Sequence, residues 1–103
     1  MRISAKVWDQ VIERDKGYCQ YCNADLLLSR ATFSAAQVDH VHGVAAGGAM
    51  EDLDNLKLAC ALCNGSLSQY NHLKTFEERK AIMDEKNKVH EENFQKMVKR
   101  LRP

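Results

Sequence analysis

The chain of 103 residues has few of the features that mark membrane or secreted proteins. No apolar run approaches the roughly 20 residues that a helix needs to cross a bilayer, so we expect no membrane association. No secretory signal precedes the cysteines, and none of the four cysteines is left outside a Cys-x-x-Cys pair. A reduced, cytoplasmic setting is therefore expected rather than a disulfide scaffold.

Aromatic residues and excess charge are also scarce. Seven Phe, Trp and Tyr residues give a single small domain a modest core, so a structural metal is expected to supply part of the stability. The net charge of +1 does not by itself indicate a nucleic-acid partner. Residues 1–71 hold six Lys and Arg against eight Asp and Glu, whereas residues 72–103 hold nine against six. The basic character thus lies in the tail, where it could contact phosphates or form a solvated helix face.

The cysteines stand in two pairs, Cys19–Cys22 and Cys60–Cys63. Each tight turn presents two sulfurs on one side, so the two pairs can hold Zn²⁺ tetrahedrally through four thiolates. Closed sites of this kind are structural rather than catalytic. The polar residues held between and beside the pairs are then the candidates for chemistry.

Periodicity predicts a short amphipathic helix over residues 5–15, with Trp8 in the core. A loop or irregular strand region is expected over residues 23–36, a strand over about 37–41, a flexible loop over 43–48, and a second strand before the second cysteine pair. A helix is expected to start near Asn64. A long helix capped by Thr75 follows. Its apolar stripe near the end is expected to pack on the core of the same chain, with a dimer seam as the alternative.

The motifs resemble those of the HNH endonuclease family, in its zinc-knuckle branch. The matching run covers about residues 7–68 and consists of Trp8, Arg14-Asp15, the first cysteine pair, Val38-Asp39-His40-Val41, Gly47-Gly48, Asp54-Asn55-Leu56 and the second pair with Asn64. A simple zinc ribbon has no need of an Asp-His pair and two asparagines at these positions.

The resemblance implies an α+β ββα-metal fold, with residues 1–72 as the HNH domain and residues 73–103 as a helical extension. It implies that Asp39 and Asn64 bind a catalytic Mg²⁺ or Mn²⁺, that His40 is the general base, and that Asn55 braces the hairpin loop. The partner it implies is DNA, cut on one or both strands by a monomer or homodimer. Some compact members belong to phages, which implies a bacterial or phage-infected host cell and a larger DNA-packaging protein as a further partner.

Elementary chemistry agrees with these roles. Imidazole has an unperturbed pKa of about 6.5 and is suited to deprotonating water near neutral pH, as His40 would have to do. Carboxylate and amide oxygens suit Mg²⁺ or Mn²⁺. Adjacent Asp39 and His40 would point to opposite faces of a regular strand, so they serve one phosphate only where the strand ends or bulges.

Three further residues are candidates for substrate binding: His42, two residues past His40, and Arg14 and Lys16 near the first cysteine pair. Each has a second interpretation, since His42 could be an exposed loop residue and Arg14 could form a local ion pair with Asp15. The loop after His40 contains Gly43-Val44-Ala45-Ala46 where many family members have proline and basic residues. Weaker grip on phosphate is expected there, and a non-catalytic zinc-stabilised nucleic-acid-binding module or a partner-dependent subunit are the alternative hypotheses.

Overall fold

The computed structural model describes residues 3–103. It contains four α-helices and one two-stranded antiparallel sheet within that range: α1 Ala5–Asp15, α2 Arg30–Phe33, β1 Ala36–His40, β2 Leu56–Cys60, α3 Ala61–Leu67 and α4 Phe76–Leu101. The strands and α3 follow one another as strand, strand, helix. The expected α+β fold with a ββα unit and a long C-terminal helix is confirmed.

The sheet has a regular register from Ala36 opposite Cys60 to His40 opposite Leu56. Residues directly opposite each other in such a pair point to the same face, and successive residues alternate between faces. One face therefore carries Asp39 with Lys57, and the other carries His40 with Leu56. The pairing continues regularly past His40, since the Val41 amide donates to the Asn55 carbonyl at 3.0 Å. Asp39 and His40 thus lie on opposite faces.

The core lies on both sides of β2. Leu56 and Leu58 are buried together with Val11 of α1, while Leu67 of α3 and Met83 of α4 belong to the same cluster. α1 begins because the Ser4 side chain accepts a hydrogen bond from the Val7 amide, which satisfies one of the amides that every helix start leaves unpaired. These contacts fix the helices around a sheet too small to be stable by itself.

α4 begins as the sequence predicts, with Thr75 as N-cap accepting from the Glu78 amide. Its first half contacts the domain through buried Arg79 and Met83. Its second half does not: Phe94, Met97 and Leu101 are 58%, 50% and 63% exposed. The expectation that this apolar stripe packs on the core of the same chain is therefore wrong. A straight helix of 26 residues is about 39 Å long, more than the compact ββα unit can cover.

Other boundaries differ from the expectations by a few residues. α3 starts at Ala61, because Cys60 serves as its N-cap through a contact of the Cys63 amide with the Cys60 sulfur. The region expected to be a loop holds α2, which a capping box between Ser29 and Thr32 starts. Trp8 is half-buried rather than central, and its ring meets Phe33 edge-on with centroids 6.4 Å apart. No helix within residues 3–103 is both long and apolar enough to span a bilayer.

Candidate functional site

The four cysteines form one cluster in which all four sulfur atoms lie within 4.8 Å of one another. A tetrahedron of sulfurs about 2.3 Å from Zn²⁺ has edges of about 3.8 Å, and the Cys22 and Cys60 sulfurs are 3.8 Å apart. None of the four is in a disulfide. The donor set, its spacing and its closed geometry therefore fit a structural zinc ion.

Charge within this cluster gives a second reason for a cation. Hydrogen bonds from the neighbouring thiols, Cys22 first, lower the pKa of Cys19 far below its usual value. The same proximity raises the pKa of Cys22 and of Cys63 well above the usual value, with the hydrogen bond to Cys19 as the largest cause. Four thiolates this close need a bound cation to be ionised together.

The cluster of four cysteines, which we call the zinc cluster after the ion that it fits, is also attached to α4. The Asn87 side-chain nitrogen lies 3.6 Å from the Cys63 sulfur and 3.4 Å from the Tyr21 carbonyl oxygen. An amide N–H directed at a thiolate stabilises its charge and fixes its orientation. The sequence gives no signal for this contact, since Asn87 lies 24 residues beyond Cys63.

Asn55 holds the connection between β1 and β2, which runs from residue 41 to residue 55. Its side-chain oxygen accepts from the His42 amide at 2.8 Å, and its side-chain nitrogen donates to the carbonyls of His42 and Ala49 at 2.9 and 2.8 Å. An asparagine side chain can make about four hydrogen bonds, so these three use most of its capacity. We call these three bonds the Asn55 brace.

His40, at the end of β1, contacts the same connection. Its Nε2 lies 2.9 Å from the Met50 carbonyl oxygen. A carbonyl oxygen accepts but cannot donate, so Nε2 must carry a proton, and in the neutral imidazole Nδ1 is then the proton acceptor. His42 makes a similar contact within the loop, from Nε2 to the Ala46 carbonyl at 3.1 Å.

Asp39 lies on the other face of the strand and is only 3% exposed. Arg79 of α4 holds it bidentately, with Nη2 2.6 Å from Oδ1 and Nε 3.1 Å from Oδ2. The Tyr21 hydroxyl donates to Oδ2 at 2.5 Å. We call Asp39, Arg79 and Tyr21 the Asp39 cluster. Sequence reasoning assigned neither Arg79 nor Tyr21 to this site.

The protonation states in this cluster follow from its burial and charges. Burial, then the charge of Asp39, raises the pKa of Tyr21 well above its usual range, so the phenol stays a donor. Burial lowers the pKa of Arg79, but the hydrogen bond and charge of Asp39 raise it more, and the guanidinium stays charged. The cluster is thus a buried ion pair with a neutral phenol beside it.

Among residues 3–103, the remaining candidates form no hydrogen bond with Asp39 or His40. The half-buried Asn64, on α3, donates from its side-chain nitrogen to the Gln37 side chain at 2.8 Å. Arg14 donates to the carboxylate of Asp15 at 2.9 Å and to the Leu53 carbonyl at 2.6 Å, and it also contacts the Leu56 carbonyl. Lys16 is exposed. The guanidinium of Arg14 therefore ties α1 to the start of β2.

Comparison with curated proteins and with solved structures gives no match. The model of the HNH endonuclease family matches residues 19–69, from the first zinc cysteine to two residues past the end of α3. This span contains both cysteine pairs, the Asn55 brace and the strand that carries Asp39 and His40. Residues 19–69 of this chain are therefore an HNH endonuclease domain.

Proposed function

We propose that the chain is a zinc-stabilised endonuclease that hydrolyses phosphodiester bonds in DNA with low sequence specificity, and that His40 is its general base. The observation that carries the proposal is the hydrogen bond from His40 Nε2 to the Met50 carbonyl, which leaves Nδ1 as proton acceptor. The Asn55 brace supports it by holding the segment that contains this carbonyl.

In the proposed reaction, Nδ1 of His40 takes a proton from a water molecule while the water oxygen attacks the phosphorus in line with the leaving 3′-oxygen. The P–O bond to that oxygen breaks, and the departing oxygen takes up a proton from solvent water. The hydrogen bond from Nε2 to the Met50 carbonyl keeps the ring from turning away from the water during the transfer. Nδ1 of His40 must therefore carry no proton when the reaction begins.

The conformation described does not fit the catalytic cation that the resemblance implies. Both carboxylate oxygens of Asp39 already accept hydrogen bonds from Arg79 and Tyr21. The Asn64 side-chain nitrogen donates to Gln37, a bond that does not involve the side-chain oxygen that would bind a cation. The assignment of Asp39 and Asn64 as ligands of Mg²⁺ or Mn²⁺ stays a prediction, and no catalytic step is derived through it.

Contact with DNA is supported by basic side chains at two places. Lys16 is exposed beside the first cysteine pair. Lys99 and Arg100 lie exposed in the last turn of α4. Contacts of this kind bind phosphates without reading base sequence, which agrees with the proposed low specificity. His42 adds a half-buried ring on the connection that follows His40.

The proposal is tested by incubating supercoiled plasmid with the zinc-loaded protein, with and without Mg²⁺ or Mn²⁺, and measuring nicked and linear products. We expect cleavage by the wild type and at least a hundredfold lower rate for His40→Ala, since general-base catalysis contributes about 10²–10⁴-fold. His72→Ala is the matched control, because His72 is exposed and lies outside the family match. Cleavage unaffected by His40→Ala would exclude His40 as the base.

A second candidate function is a non-cleaving, zinc-stabilised nucleic-acid-binding module. The Asp39 cluster favours it, because the carboxylate that would hold the catalytic cation is buried and paired. In that case, wild type and His40→Ala would bind DNA equally, and no metal would promote cleavage. Gel-shift titration of both proteins alongside the plasmid assay separates the two functions.

The exposed apolar residues of α4 favour a partner-dependent form of the same activity. Val89 is 54% exposed, in addition to the three apolar residues nearer the end of the helix. A helix side of this kind could dock on a larger DNA-processing or phage packaging protein, or on a second copy of the chain. Cleavage that appears only after such a protein is added would identify this form, and light scattering would separate monomer from homodimer.

A further inference from the structure

We propose that Arg79 is a built-in counter-ion that excludes divalent cations from Asp39, so that a cation can bind this carboxylate only where the guanidinium has been displaced. The inference rests on the proposed function in that it concerns the same site. It goes beyond that function because it gives α4, which lies outside the family match, control over the site.

The first support is geometric. Arg79 and Asp39 side chains are each 4% exposed, and the guanidinium makes two parallel N–H···O bonds to the carboxylate. The Tyr21 hydroxyl donates to the same carboxylate. A cation approaching Asp39 would meet donor hydrogens rather than open lone pairs. Mg²⁺ and Mn²⁺ need oxygen ligands with nearly octahedral geometry, which this arrangement does not offer.

The second support is charge. A guanidinium carries one full positive charge and remains protonated in proteins. With the guanidinium bound, Asp39 and Arg79 together carry no net charge to attract a divalent cation. Lys57 lies directly across the sheet from Asp39 on the same face, and its ammonium is 4.7 Å from the centre of the Phe76 ring. This second positive charge further opposes a cation at that face.

The third support is how firmly Arg79 is held. Besides Asp39, its Nη1 donates to the carbonyls of Tyr70 and Leu73, both at 3.3 Å. These carbonyls belong to the segment between α3 and α4. Removing one partner of a buried pair leaves an uncompensated charge, which is strongly unfavourable. Displacing Arg79 therefore requires the start of α4 and this segment to move together, and a partner that binds α4 could cause that movement.

The inference is tested by measuring Mn²⁺ binding to the zinc-loaded protein by electron paramagnetic resonance, without DNA. We expect wild type and Asp39→Asn to bind Mn²⁺ equally weakly. We expect Arg79→Gln to bind it at least tenfold more tightly, and the double variant Arg79→Gln/Asp39→Asn to lose that gain. Arg100→Gln, an exposed arginine on the same helix, is the matched control and should behave as wild type.

Two results would overturn the inference. One is Mn²⁺ binding to wild type that Asp39→Asn weakens tenfold or more, since Asp39 would then be an open ligand. The other is a folded, zinc-containing Arg79→Gln protein with no gain in Mn²⁺ binding. If Arg79→Gln does not fold, the comparison of wild type with Asp39→Asn decides the question alone. Because the readout is cation binding, failure here is distinguishable from failure of His40-dependent cleavage.

Discussion

The Met50 carbonyl determines which nitrogen of His40 carries a proton, and the loop must therefore hold that carbonyl accurately. Gly48 lies two residues before Met50, and its amide donates to the Gly43 carbonyl at 2.9 Å. A Cβ at Gly48 would lie 1.8 Å from the His42 carbonyl oxygen and 2.6 Å from its carbon. Both of these atoms are backbone, so the loop would have to open to accept any other residue at this position.

Gly48→Ala is accordingly expected to destabilise the protein by about 1–3 kcal/mol, the range for overpacking, and to reduce plasmid cleavage. Gly43→Ala is the matched control, because a Cβ there meets nothing within 4 Å and its φ is −57°. Urea unfolding and the plasmid assay measure the two effects. Equal behaviour of both variants would show that the loop does not depend on this close approach.

At the same scale, we expect the Asn55 brace to order the loop without affecting zinc binding. Asn55→Asp keeps an oxygen for the His42 amide but loses both donors, so two carbonyls are left without them. The bond to His42 is partly buried and the bond to Ala49 is exposed, so water can replace part of the loss, and each lost hydrogen bond costs about 0.5–1.5 kcal/mol. We expect slower cleavage with unchanged zinc content, measured by metal analysis of the purified variant. Loss of zinc would show instead that Asn55 supports the whole fold.

At the scale of elements, α4 consists of two halves with different roles. Residues up to Asn87 contact the domain through Arg79, Met83 and the zinc cluster. From residue 91 onward the side chains are exposed, apart from half-buried Val98. Helical periodicity identified the apolar stripe at this end correctly, but periodicity does not specify whether the covering surface belongs to the same chain.

A chain ending at Glu92 is therefore expected to keep its zinc and its thermal midpoint within a few degrees, since little burial is removed. A chain ending at Lys80 loses the fully buried Met83 and should be destabilised by at least about 2–5 kcal/mol, the cost of truncating a buried methionine. Thermal unfolding followed by circular dichroism compares the melting temperatures of the two truncated chains. Equal melting temperatures for the two truncations would contradict this division of α4.

At the scale of the whole molecule, the zinc cluster joins the segment after α1, the end of β2, α3 and, through Asn87, α4. Structural zinc in small domains supplies about 10–16 kcal/mol at pH 7, which is comparable to or larger than the net stability of a typical domain, about 5–15 kcal/mol. Because its sheet is small and its core modest, we expect this chain to depend on that contribution.

Cys63→Ser is thus expected to abolish folding, whereas His40→Ala stays folded and inactive. A strong zinc chelator should unfold the wild type reversibly, and acid should release zinc because the ligands must be thiolates. Circular dichroism with zinc analysis checks each outcome. Equal loss of folding in both variants would contradict the division between structural cysteines and a catalytic histidine.

The sequence by itself determined the features that depend on local spacing. Two Cys-x-x-Cys turns predict a four-thiolate site wherever the chain brings them together, and Thr75 followed by Glu78 predicts the start of α4. Strand alternation predicts that Asp39 and His40 point to opposite faces of a regular strand. The tertiary structure decided what meets those side chains: Arg79 lies 40 residues from Asp39, and Asn87 lies 24 residues from Cys63. Such contacts depend on how α4 packs across the sheet, and no local pattern in the sequence encodes that packing.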